Sequence, residues 1–214
     1  MTIRPASDRS LLVAFGESIS VETHRRVFRL TSALEGVRGI LNLHPAYASL
    51  LVEFDPRLRD HAQIEVLVQQ CEAGEWEGRH AAESRLVEIP VRYGGEFGPD
   101  LPDVARHTGL SPERVVEMHA AAGYLVYFLG FAPGFAYLGG LPPELATPRL
   151  SAPRKRVPAG SVAIGGNQTG VYPIESPGGW RIIGHTDTKL FDPNAAEPVL
   201  LRMGDRLRFV PEAS

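Results

Sequence analysis

Ser161-Val-Ala-Ile-Gly-Gly-Asn-Gln-Thr-Gly-Val-Tyr-Pro173 sets a short β-rich run, Ser161 to Ile164, against a glycine pair, a cluster of polar turn residues and a proline. The same punctuation runs from Tyr124 to Pro193. An apolar run, Tyr124 to Phe131, opens the region, and Gly or Pro then recurs every few residues. Further strand-like pieces stand at Arg181-Ile-Ile183, Val199-Leu-Leu201 and Arg206-Leu-Arg-Phe209, the last after a Gly204-Asp205 turn. Short strands separated by glycine turns predict a closed all-β barrel or a sandwich.

Upstream of this region lie two helices. Asp100 to His107 reads as a short helix stopped by Gly109. Ser111-Pro-Glu113 starts the next, with a capping hydroxyl, a proline in the first turn and an acid near the positive end of the dipole. One face of that helix carries Val115, Met118, His119 and Ala122. Further back, Leu11, Val13 and Phe15 alternate as a strand ended by Gly16, and Ser20 caps a helix with Val27, Leu30 and Leu34 on one side and Gly36 at its end. Ile40 to Leu43 and Leu50 to Phe54 form two strands joined at His44-Pro-Ala46. Ile64, Leu67, Val68 and Cys71 fall at helical spacing. With the alternating Val87, Ile89 and Val91, the order is βαββαβ, a ferredoxin-like split unit. The Val87 strand either completes this sheet or opens the next domain. Glu72 to Ser84 is polar and unpatterned, a linker by composition, so we expect an α+β chain with domains at 1–84 and 85–214.

Composition bounds the function. The chain has 214 residues, 43% of them hydrophobic, with a formal net charge of −3. That charge lacks the basic footprint that nucleic-acid binding requires. Cys71 is the single cysteine, so neither an intrachain disulfide nor a cysteine metal cluster is available, and no grouping of His with acids suggests a metal site. No signal segment and no membrane-length apolar run is present, so a cytoplasmic protein is expected.

The chemistry is expected in three Gly/Pro blocks, Leu129–Pro142, Val157–Pro173 and Ser176–Thr186. Glycine allows close backbone approach to a ligand, and rigid loops can aim N–H groups at an anion. Small barrels also need glycine corners, but here polar residues are interleaved at the turns. The candidate binding positions are Gly165, Gly166, Thr169, Tyr172, Ser176, Gly178, Gly179 and Trp180. Tyr172 and Trp180 either wall a flat ligand or pack a core. Gln168, His185 and His119 are the candidate catalytic groups. Gln168 can read an amide or bond its own turn. His185 follows a glycine in a loop and suits proton donation or anion contact, whereas His119 lies on an apolar helix face where a core histidine is the ordinary outcome. There is no GxxxxGK[ST] phosphate loop and no GxSxG elbow.

Gly130-Phe-Ala-Pro-Gly-Phe-Ala-Tyr-Leu-Gly-Gly140, Pro158-Ala-Gly-Ser161, Gly166-Asn-Gln-Thr-Gly-Val-Tyr-Pro173 and Ser176-Pro-Gly-Gly-Trp180 resemble the PxpB/KipI family, also called allophanate hydrolase subunit 1. The resemblance extends over essentially the whole chain. It implies a cyclophilin-like β-barrel after the ferredoxin-like domain. It implies a subunit of an ATP-dependent 5-oxoprolinase that opens 5-oxo-L-proline to L-glutamate with a PxpC-type subunit and a PxpA-type protein. ATP with Mg2+ would be a co-substrate shared with the partner. Activating the resonance-stabilised lactam by phosphorylation makes its carbonyl attackable by water, and aimed N–H groups and cations stabilise the charge. The family pattern reads Gly-Arg-Thr-Pro where this chain has Gly184-His185-Thr186-Asp187, replacing a fixed positive fork by a titratable ring. Two other readings accompany this one. Relatives occur in urea carboxylase, implying carboxyl transfer, and a KipI-like chain would act by docking on a histidine kinase.

Overall fold

The computed structural model describes residues 1–17, 19–74 and 84–212. Two compact units emerge, Met1–Glu83 and Ser84–Ser214. In the first, β1 (Thr2–Ser7) and β2 (Ser10–Ala14) form a hairpin, followed by α1 (Val21–Leu34), β3 (Ile40–Pro45), β4 (Ser49–Phe54) and α2 (His61–Ala73). The sheet is antiparallel in the order β1-β2-β4-β3. Leu11, Val13, Leu50, Val52 and Phe54 alternate onto one buried face and meet Val27, Leu30 and Leu34 of α1 and Ile64, Leu67 and Val68 of α2. Ser20 caps α1 as expected, and α2 has a cap of its own. Thr23 N–H donates to Ser20 Oγ at 3.1 Å, and Asp60 and Gln63 close a reciprocal capping box on α2. Truncating Ile64, which is fully buried, to Ala would cost about 2–5 kcal/mol.

The expected βαββαβ order is corrected here to ββαββα. The Val87 strand does not join this sheet. The hairpin strand β1 takes the edge beside β2, where the last strand of a split unit would return. Thr2-Ile-Arg-Pro-Ala-Ser7 shows little alternation and carries Pro5, which suits an edge strand. Of the expected linker, Glu72 belongs to α2, and residues 75–83 lie outside the described residues.

The second unit begins with that Val87 strand, β5 (Leu86–Tyr93), and continues with α3 (Leu101–Thr108), α4 (Pro112–Ala121), β6 (Tyr124–Leu129), β7 (Ala136–Gly139), a 3-10 turn at Pro143–Leu145, β8 (Arg154–Val157), β9 (Ser161–Gly165), β10 (Gln168–Val171), β11 (Ser176–Gly178), β12 (Arg181–His185) and β13 (Arg206–Pro211). Seven strands close a barrel in the order β10-β7-β6-β13-β5-β12-β9. β5 and β13 pair in parallel, Leu86 opposite Arg206 through Val91 opposite Pro211, so closure waits on the end of the chain. Val199-Leu-Leu201, expected as a strand, makes only an isolated bridge from Val199 to Phe191.

Alternation along the strands divides the packing in two. Val162, Ile164 and Ile183 point inward with Ile89, Val91, Val126, Leu207 and Phe209, joined by Leu101, Val104 and Val115 of α3 and α4. Ala163 and Ile182 point outward and build a second core with Phe135, Val157, Tyr172 and Trp180. The β8–β11 ribbon, which supplies Val157, belongs to this outer layer.

Candidate functional site

His119 rises from α4 into the barrel interior and is fully buried. Tyr93 Oη lies 2.8 Å from its Nδ1 and Thr169 Oγ1 2.8 Å from its Nε2. Thr169 donates its hydroxyl proton to Ala163 O at 3.0 Å. It must therefore accept from Nε2–H, which leaves Nδ1 to accept from the Tyr93 hydroxyl. The ring stacks on Phe209 at 4.6 Å. Burial holds its pKa near 3, so the imidazole is neutral, and burial pushes the Tyr93 phenol far up. Both nitrogens are engaged away from solvent. This geometry makes His119 and Thr169 a buried strut between α4, β5 and β10, with each polar side-chain atom engaged inside the barrel.

Two candidate glycines are packing positions. A Cβ on Gly165 would stand 2.4 Å from the Trp180 indole, and one on Gly178 would stand 2.3 Å from Tyr172 Oη. Rings of the protein itself fill the space those glycines leave. Tyr172 and Trp180 are nearly inaccessible and meet Phe135 edge-on. Of their two sequence readings, the core reading describes them.

Further polar groups lie at the β9–β10 turn and along the β8–β11 ribbon. Gly166 exchanges backbone hydrogen bonds with Thr147 at 2.8 and 3.0 Å, which straps the Thr147–Arg149 segment to the turn. Leu150 N–H donates to Gly179 O at 2.7 Å, and the Arg149 guanidinium lies 5.6 Å over the Trp180 ring. Among the described residues Arg149 has no carboxylate partner, and the Gln168 amide, opposite Gly165 in the ladder, makes no side-chain hydrogen bond. Arg154 donates to Asp100 Oδ1 at 2.7 Å while Asp100 Oδ2 accepts from Ile182 N–H at 2.7 Å. The other Arg154 nitrogen, Nη1, is buried without a partner, as is Ser176 Oγ. In the same unit Arg92 Nε and His185 Nδ1 are likewise buried without a hydrogen-bond partner. Burial raises the Tyr172 phenol, while a backbone hydrogen bond with Trp180 and the charges of Arg149 and Arg154 pull it down. Reasoning from sequence alone missed both arginines. The signal was available in two basic residues flanking Ser151-Ala-Pro153 between glycine blocks.

His185 is elsewhere. It pairs with Ser161 at the far end of β9 from Gly165, about 13 Å away at strand rise. Its Nε2 donates to Ala159 O at 3.1 Å. Its Nδ1 lies 3.6 Å from Asp187 Oδ1, beyond hydrogen-bond reach, and Arg92 Nη2 grips both Asp187 oxygens at 2.7 Å. The candidate residues therefore fall at two ends of the barrel wall with a strut between.

The profile of the family described as "Carboxyltransferase domain, subdomain C and D" matches residues 1–201. The chain belongs to that family. Within it, the chain is 47% identical to a protein named as a 5-oxoprolinase subunit from Escherichia coli O157:H7, over 91% of this chain and 88% of that one. This places the chain with the PxpB proteins. The crystal structure of TTHA0988 superposes with a TM-score of 0.86 at 42% identity, covering 97% of this chain but 41% of that one. This chain thus spans about two-fifths of that longer protein. The Kluyveromyces lactis urea carboxylase shares the fold with a TM-score of 0.74 at 22% identity.

Proposed function

We propose that this chain is the PxpB-type subunit of an ATP-dependent 5-oxoprolinase, which opens 5-oxo-L-proline to L-glutamate in the cytoplasm together with PxpC-type and PxpA-type partners. The observation that carries the reading is the near-full-length identity to a protein named as a 5-oxoprolinase subunit. The geometry supports it. The substrate is a small flat lactam bearing a carboxylate, and the β9–β10 turn together with the β8–β11 ribbon and its lead-in carries Arg149, an unpaired Arg154 nitrogen, Ser176 Oγ and an unbonded Gln168 amide. Arginines suit the carboxylate, and the Gln168 amide can face the lactam N–H and C=O.

No nucleotide-binding motif stands out among the described residues. No group of three or more His, Cys, Asp or Glu side chains stands ready for a metal among them, and no phosphate loop is present in the sequence. We place the nucleotide on a surface shared with the partner, so this wall holds and orients the lactam only. Among the described residues no helix is long and apolar enough to cross a membrane. The test is 5-oxoproline-dependent ATP hydrolysis by the reconstituted components. Turnover is expected only with the partners present, and turnover by this chain alone would contradict the shared-site reading.

A further inference from the structure

Phe131 is the one non-glycine residue with positive φ among the described residues, at φ 67. A bulky side chain rarely adopts that backbone. Ala132 N–H donates to Gly130 O at 2.8 Å across it, a γ-turn of the rare positive-φ kind. The surroundings hold this turn closed. Gly130 N–H donates to Phe135 O and Phe135 N–H to Ala132 O, both at 3.0 Å. Gly134 is pressed so close to Phe191 and Leu190 O that a Cβ would clash. The strained turn lifts an aromatic ring into water. Phe131 is 64% exposed, the most exposed large apolar side chain described, and its ring touches only the edge of Phe135 at 5.4 Å. From Tyr124 to Pro143 the sequence holds no charged residue, so the tip Phe131-Ala-Pro133 is apolar throughout. Strain and exposure of this sort persist where something else uses them.

We infer that Phe131 is the anchor by which this chain docks into an apolar pocket of the PxpC-type subunit. The inference rests on the oxoprolinase-subunit reading above. The partner is chosen on two observations. TTHA0988 carries more than half its length beyond the part this chain matches, so in that relative further chain is permanently attached to this domain. The relative matched almost end to end is itself named as a subunit. A rigid, pre-organised aromatic knob loses little side-chain entropy on docking and is a typical hot-spot residue.

The test measures binding of the purified PxpC-type subunit from the same organism to the full chain and to Phe131→Gly by titration calorimetry, with thermal melting of each alone. Glycine adopts positive φ freely, so Phe131→Gly is expected to melt no lower than the parent. Its affinity is expected to fall by about 30-fold, the loss typical of an aromatic anchor. Unchanged affinity in Phe131→Gly would overturn the inference and leave the oxoprolinase-subunit reading standing. Failure of the parent chain to bind that subunit would overturn both.

Discussion

His119 Nε2 and Thr169 Oγ1 stand 2.8 Å apart in the barrel interior, and the Thr169 hydroxyl donates its hydrogen bond to Ala163 O. This fixes the imidazole as the neutral Nε2–H tautomer, with Nδ1 accepting from Tyr93. The rings of Tyr124 and Phe209 also pack against the imidazole.

A pH dependence follows. The folded pKa of His119, about 3, lies below its ordinary 6.5, so between those values the unfolded chain binds the extra proton. Its contribution to stability is complete above pH 6.5 and falls as pH drops towards 3, by at most about 1.4 kcal/mol per unit. His24 in the first unit, lowered to about 4 by burial, adds a slope of the same sign. His119→Gln should destabilise the barrel by roughly 1–3 kcal/mol at pH 7.5. It should also flatten barrel stability between pH 4 and 6.5, followed by urea unfolding at each pH. An unchanged slope would place the titration elsewhere.

Gly165→Ala should be the more damaging of two neighbouring substitutions. Its Cβ meets the Trp180 indole at 2.4 Å, whereas Gly166, at φ +67, has nothing within 4 Å. Overpacking at Gly165 is expected to cost about 1–3 kcal/mol or more, and Gly166→Ala about 1 kcal/mol of backbone strain. Melting temperatures of the two variants give the order directly.

Arg149→Ala separates binding from folding. The residue is exposed, and its described contact is the Trp180 face, worth about 0.5–1 kcal/mol. The fold should persist. In the reconstituted enzyme KM for 5-oxoproline should rise about tenfold with kcat little changed, the pattern of lost uniform binding.

His185→Ala should behave in the opposite way. His185 sits at the Ser161 end of β9, away from Gly165 and Gln168, and a substrate the size of 5-oxoproline does not span the distance of about 13 Å. KM for 5-oxoproline should stay within about twofold. Stability should fall by about 1 kcal/mol as Ala159 O loses its donor. A tenfold rise in KM would bring His185 into the lactam site.

Much of the fold was legible because it is written locally. Ser20, Ser111-Pro112 and the alternation of Leu11 with Val13 are short-range signals, and each is realised in the structure. The sheet to which the Val87 strand belongs was not legible, since its partner β13 lies about 120 residues on. Nor were the partners of His119. Its apolar helix face announced burial, but Tyr93 and Thr169 are 26 and 50 residues away. Within the glycine blocks, Gly165 and Gly178 make room for the protein's own rings, which no short-range signal reveals. The unpaired donors Arg154 Nη1 and Ser176 Oγ emerge only once the strands are in place.

The most direct measurement is 5-oxoproline-dependent ATP hydrolysis with this chain, the PxpC-type subunit and the PxpA-type protein, each omitted in turn. The account predicts that omitting this chain abolishes glutamate formation and that adding it back restores it. Full activity without it would contradict the claim that this chain is the PxpB-type subunit of a 5-oxoprolinase.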